Sequence, residues 1–157
     1  MDTRPIRVLF VCTGNICRSP MAEAVFAHLV QQAKLSDRIQ SDSAGTIGYH
    51  KGERADIGTL RVLEQNHIPY NGRARQLQAA DLADFDYLVA MDDTHLTAIK
   101  VLGQSSGRVV RLLDYLPDQP LREVPDPYAS GAFDLVYALV QPSCVSLLAA
   151  IRRENGL

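Results

Sequence analysis

Short apolar runs alternate along this chain with stretches whose apolar positions recur every three or four residues. Ile6-Arg7-Val8-Leu9-Phe10-Val11 is short, β-branched and nearly continuous, the pattern of a buried strand. Gly14-Asn15 marks a turn after it. Ser19-Pro20 reads as a helix cap and first position, and Met21, Val25 and Leu29 at helical spacing predict a helix from about Ser19 to Ala33. A second strand is predicted over Ile39 to Ala44, followed by a loop from Gly45 through Glu53. A helix is predicted from Asp56 to Asn66 and a short helical stretch near Gln78 to Leu82. Tyr87 to Met91 reads as the third strand. Asp92-Asp93-Thr94 caps a helix to about Leu102, and Arg108 to Leu113 reads as the fourth strand. A Pro-rich loop spans Asp114 to Ser130, and a last helix runs from about Ala132 to Arg153.

Strand-helix alternation predicts βαβ units, hence a parallel sheet with helices on both faces. We expect one α/β domain over residues 1–157, a small doubly wound fold with four strands in the order 2-1-3-4. In such a sheet a ligand binds beyond the carboxyl ends of the strands, at the switch point beside strand 1.

Composition narrows the chemistry. The chain has 157 residues, 46% apolar and 22% charged, with a net charge of −2. That is ordinary for a globular protein and provides no polybasic field for nucleic acid or an anionic membrane. Any phosphate it recognises must therefore be held locally. No partner of those two kinds is expected, and a monomer is assumed. Only a five-residue apolar run follows the N-terminus, too short for a signal peptide, and no span of transmembrane length is expected. An odd cysteine count, Cys12, Cys17 and Cys144, is no disulfide framework and fits a reducing compartment, the cytoplasm.

Two of those cysteines lie in Val11-Cys12-Thr13-Gly14-Asn15-Ile16-Cys17-Arg18-Ser19-Pro20, a C-x5-R-S loop joining a strand to a helix start. The five residues Thr13, Gly14, Asn15, Ile16 and Cys17 can wrap once around a tetrahedral anion, presenting successive N–H groups. Gly14 and Asn15 tolerate the left-handed dihedrals of such a wrap. The helix start adds free N–H groups, and Arg18 adds a bidentate fork matched to phosphate oxygens. Cys12 sits where these donors converge, which predicts a reactive thiolate at pH 7. Ser19 can donate to that sulfur or serve as a plain helix cap. The bland alternative is a pair of small buried cysteines at a tight turn. Zinc is poorly served: C-x4-C is poor ligand spacing and His28, His50, His67 and His95 are scattered. No metal or other cofactor is expected.

At these residues the sequence resembles the low-molecular-weight protein tyrosine phosphatases, over nearly its whole length. Val11 to Glu23 is similar to that family's signature loop, Ser41-Asp-Ser-Ala-Gly45 to its second strand and turn, Tyr87 to Asp92 to its third, and Pro125-Asp126-Pro127-Tyr128 to its acid loop. The resemblance implies Cys12 as nucleophile, Arg18 as phosphate clamp and Asp126 as general acid, acting on phosphotyrosine-containing proteins through a cysteinyl-phosphate. The residues support Asp126 separately: the flanking prolines stiffen its loop toward one extended conformation, although Asp-Pro is also an ordinary turn.

A phosphotyrosine pocket needs aromatic walls, and Tyr49 and Tyr128 are placed to provide them; the alternative is that each is an ordinary half-buried surface residue. Asp92 either braces or lines the pocket, or only caps a helix. His50, Lys51, Glu53 and Arg54 are expected to tune peptide choice. Ile16 bears on the nearest rival, because protein arginine phosphatases resemble this loop with Thr there; a branched apolar residue favours a phenyl ring. Arsenate reductases of similar fold carry two further redox cysteines, and no cysteine lies between Cys17 and Cys144 here. Cys17 lies close to Cys12 by construction, so a reversible Cys12–Cys17 disulfide under peroxide is expected from the resemblance; Cys17 as a packed small residue is the alternative. A non-enzymatic thiol sensor or oxyanion-binding module is the rival of another class. Many family members carry a second Tyr after Asp-Pro-Tyr, and Ala129 occupies that place here. Cys144 is expected in the core.

Overall fold

A computed structural model describes residues 4–157. Four parallel strands form one sheet in the order β2-β1-β3-β4: β1 (Ile6–Cys12), β2 (Ile39–Gly45), β3 (Tyr87–Ala90) and β4 (Arg108–Arg111). The expected α/β architecture and strand order are those observed. Alternation along the strands splits the core into two layers. Val8, Phe10 and Cys12 join Val89 and Met91 under α1 (Arg18–Gln32), α2 (Ile57–Gln65) and the last helix. Leu9, Val11, Leu88 and Ala90 pack on the other face with Leu82 of α3 (Asp81–Asp84) and Ile99 of α4 (Asp93–Leu102). The register pairs Val11 with Ala90 and Cys12 with Gly45. The carboxyl ends of the three strands therefore finish level, beneath the cysteine loop.

Several boundaries differ from the expectation. β4 stops at Arg111, and Leu112–Tyr115 turns into a 3-10 helix. Leu112 and Leu113 are apolar because that turn drops them into the core, not because a strand continues. The Pro-rich loop also holds α5 (Pro127–Ser130), capped by Asp126. The last helix, α6 (Phe133–Asn155), is long and apolar enough to span a membrane by length and composition, contrary to expectation. Half of that apolar window is buried inside the protein. Val136, Val140, Cys144, Leu147 and Ile151 face α1 and the 3-10 turn. Its apolarity thus serves the core, and Cys144 lies there as expected.

Candidate active site

β1 delivers Cys12 to the sheet edge, and α1 begins only six residues later, so the chain between them must curl tightly. Asn15 takes the left-handed conformation the curl needs, with φ 58°. Gly14 does not have a positive φ. Its lack of a side chain serves a close approach instead: a Cβ there would lie 2.8 Å from the His50 ring. Gly45 plays the same part beneath, where a Cβ would lie 2.6 Å from the Thr13 carbonyl oxygen. The chain after β2 is then stitched to the loop by Thr46 N–H to the Cys12 carbonyl (2.9 Å) and Ile47 N–H to the Thr13 carbonyl (3.1 Å).

Among the described residues every buried side-chain nitrogen and oxygen has a hydrogen-bond partner, those behind the loop included. Asn15 donates both amide hydrogens, to Ser19 Oγ (2.8 Å) and Ser43 Oγ (2.9 Å), and accepts from the Arg75 N–H (3.0 Å). Ser43 donates its hydroxyl to Glu23 Oε1 (2.6 Å), which also accepts from Tyr70 (3.0 Å). Because Asn15 donates to the Ser19 oxygen, the Ser19 hydroxyl proton is free for Cys12 Sγ, 2.9 Å away. Ser19 therefore serves the sulfur and is not a cap; α1 starts at Arg18, with Cys17 at its N-cap and no side-chain capping bond. Among the described residues no backbone N–H from Thr13 to Arg18 donates to a carbonyl in the loops and turns. With the positive end of α1 these amides form an anion-binding cradle.

A cavity of about 210 Å³ opens over this cradle, lined by Cys12, Thr13, Gly14, Ile16, Cys17, Arg18, Ile47, His50, Asp126 and Tyr128. A larger open groove of about 410 Å³ runs beside α2, away from the cysteines. Arg18, whose side chain is only 4% exposed, is held from two segments, the head of α4 and the acid loop. Its Nη1 donates to Asp92 Oδ2 (2.8 Å) and to the Val124 carbonyl (3.0 Å), and its Nη2 stands 3.8 Å from Asp126 Oδ2. Val124 N–H bonds the Met91 carbonyl (2.9 Å), so the acid loop is pinned to the end of β3 two residues before Asp126. Asp126 Oδ1 accepts the Tyr128 N–H (3.0 Å), which leaves Oδ2 toward the cavity.

Two expectations need correction. Tyr49 is not a pocket wall: it is 82% exposed and packs edge-on against His50, which lines the cavity with Ile47. The chain turns between Gly48 and Lys51, so Ile47 and His50 face the cavity while Tyr49 between them does not. Asp92 does not line the cavity either. It braces Arg18 and caps α4, accepting from Thr94 N–H and His95 N–H through Oδ1. Burial alone would raise its pKa, but the bonds from Thr94 and Arg18 outweigh this and hold it below the usual carboxylate range. Cys17 is buried beside Cys12 in the cavity lining, and its thiol is pushed up to about 12, by burial first and the Asp56 carboxylate second.

Sequence reasoning passed over His95. It is 1% exposed, and its Nε2 lies 2.8 Å from Thr13 Oγ1. Asp92-x-x-His95 has the spacing of a capping box, with an imidazole in the usual place of Glu or Gln, and that was the available signal.

The family model described as low molecular weight phosphotyrosine protein phosphatase matches residues 7–156. The chain is 44% identical over 155 residues to the low molecular weight protein-tyrosine-phosphatase YfkJ of Bacillus subtilis, covering 97% of this chain and 99% of that one. It is 40% identical over 153 residues to PtpA of Staphylococcus epidermidis, with 97% of each covered. The crystal structure of YfkJ superposes with a TM-score of 0.94 over 96% of this chain and 97% of that one. That of a drosophila arginine phosphatase superposes with 0.87, at 32% identity, over 92% and 97%.

Proposed function

We propose that this chain, which belongs to the low molecular weight phosphotyrosine protein phosphatase family, hydrolyses phosphotyrosine in proteins through a cysteinyl-phosphate on Cys12. The observation that carries this reading is the convergence of Cys12 Sγ, the loop amides, Arg18 and Asp126 Oδ2 on one cavity. The Cys12 thiolate, with the Ser19 hydroxyl donated to it, attacks phosphorus. The bond from phosphorus to the phenolic oxygen breaks, and Asp126 gives its proton to that oxygen. Asp126 then takes a proton from water as the water oxygen attacks phosphorus. The S–P bond breaks, phosphate leaves and the thiolate is restored. Arg18 and the loop amides hold the equatorial oxygens through both steps.

Ile16 is buried in the cavity lining, and with Ile47 and Tyr128 it offers apolar wall suited to a phenyl ring. The likeness to an arginine phosphatase makes phosphoarginine the natural comparison. With matched peptides, phosphotyrosine is expected to be hydrolysed with the higher kcat/KM, after a burst of phenol equal to the enzyme concentration. Preference for phosphoarginine contradicts the substrate assignment. The absence of a covalent burst, with a first-turnover rate no faster than steady state, counts against the two-step route.

Redox control belongs to the same reading. Peroxide converts the Cys12 thiolate to a sulfenic acid with release of hydroxide; the Cys17 sulfur then attacks the Cys12 sulfur, loses its proton, and water leaves as the disulfide forms. A dithiol is expected to restore activity to the wild type but not to Cys17→Ser. The need for a reduced thiol favours a reducing compartment, the cytoplasm.

A further inference from the structure

His95 sits at the third position of α4, directly behind the cysteine loop, and the two-step reaction leaves it unused. Its ring bonds can be assigned. Asp92 N–H donates to Nδ1 (3.1 Å), and Asp92 Oδ1, 3.2 Å from the same nitrogen, is already filled by Thr94 and by the His95 N–H, so Nδ1 is an acceptor. Burial first, and the neighbouring Arg18 guanidinium second, lower the pKa of the imidazole to about 4 against the opposing pull of the Asp92 and Asp126 carboxylates, so the ring is neutral. A neutral ring that accepts at Nδ1 carries its proton at Nε2. That N–H donates to Thr13 Oγ1 at 2.8 Å. Arg18 Nη2, 3.4 Å from the same Nε2, is then a second donor facing it and not a partner; its own acceptor in this corner is Thr13 Oγ1, at 3.5 Å.

Thr13 is the residue after the nucleophile, and its amide belongs to the anion cradle. Asp92 is the carboxylate that fixes Arg18. One buried imidazole thus bonds both, through opposite nitrogens.

We infer that His95 is a positioning residue for phosphoryl transfer: its Nε2–H bond to Thr13 locks the cysteine loop to the head of α4, so that the loop amides and the Arg18 fork share one rigid frame. The inference rests on the reading of Cys12 to Arg18 as the phosphoryl site. A rigid frame matters where both sets of donors must meet the oxygens of a transition state, since small misplacements weaken catalysis more than binding.

Two substitutions separate the two nitrogens. His95→Asn places an acceptor where Nδ1 was but is too short to reach Thr13. His95→Gln reaches as far as Nε2 and restores a donor toward Thr13 Oγ1. With an aryl phosphate, His95→Asn and Thr13→Val are each expected to lower kcat/KM by about tenfold, mostly in kcat, as for loss of one buried hydrogen bond in a preorganised site. The double variant is expected to be no worse than either single, because both remove the same bond, and His95→Gln is expected to recover most of the loss. Nitrogen NMR of the wild type is expected to show a proton on Nε2 and none on Nδ1, a readout that stands if His95→Asn fails to fold. The inference is overturned if the active wild type shows the other tautomer, if Asn and Gln act alike, if the losses multiply to about a hundredfold, or if only the melting temperature moves. An inactive wild type instead overturns the phosphatase reading.

Discussion

The floor and the rim of the cavity are built on different principles. The floor, Cys12 to Ser19, lies between the ends of three strands and the start of α1 and is buried except at the half-buried Thr13 and Gly14; its side-chain polar groups are partnered by Ser43, Asn15, Asp92, His95 and Val124. The rim is Ile47, Tyr49 and His50 on the loop after β2 and Tyr128 on the short α5; Tyr49 and Tyr128 are 82% and 62% exposed, and both rings meet His50. Buried donors in a low-dielectric frame act strongly on developing charge, while exposed apolar side chains contribute only the area a ligand covers. Floor residues therefore act in kcat and rim residues in KM.

The largest effect that tests this division is on Arg18. Arg18→Lys keeps the charge but loses the fork shared among Asp92, Val124 and the ligand, and kcat/KM is expected to fall by about 10²–10³ in steady-state assays. A fall below tenfold breaks the distinction. Asp126 joins the two regions, being half exposed yet 3.8 Å from Arg18. Asp126→Asn is expected to lower kcat by about 10²–10⁴ for a phenol that leaves poorly, and by much less for a nitrophenol, which needs no proton. Equal losses for both remove the acid role.

The next effect concerns the floor's stability. Folding lowers the His95 pKa from 6.5 to about 4, so between these values the unfolded chain binds more protons. Stability from this group is present above pH 6.5 and is lost as pH falls toward 4, by about 3 kcal/mol in all. Urea unfolding of the wild type and His95→Gln from pH 7 to 4 is expected to show the steeper loss in the wild type; parallel slopes contradict it. The smallest effects lie at the rim. Tyr128→Ala is expected to raise KM for a phosphotyrosine peptide by about fivefold with kcat kept, as one half-covered ring implies. Tyr49→Ala is expected to leave a small aryl phosphate unaffected, since its ring stands outside the cavity.

The same contrast explains what could be read before folding. The strand order, the cysteine loop and Asp126 were legible because apolar runs, a fixed C-x5-R spacing and a Pro-flanked Asp are local signals. Ser19 was half legible: its proximity to a helix start suggested a cap, and only the Asn15 bond shows that its proton goes to sulfur. β4 ran too long on paper because a 3-10 turn can bury Leu112 and Leu113 as well as a strand can. Tyr49, Ile47 and His50 were beyond sequence because no periodicity governs side-chain direction in a loop. For His95 the capping-box spacing was legible, but its bond to Thr13 was not, because the two lie 82 residues apart and the pairing of β1 with β3 brings them near.

The central claim is that Cys12 carries the phosphoryl group. Its most direct test is a denaturant quench of Asp126→Ala during turnover of an aryl phosphate, followed by mass analysis of the peptide containing Cys12. A phosphoryl group is expected on Cys12, absent from Cys17 and from the Cys12→Ser protein. Turnover with no phosphoryl on Cys12 at any quench time, or undiminished turnover by Cys12→Ser, would contradict it.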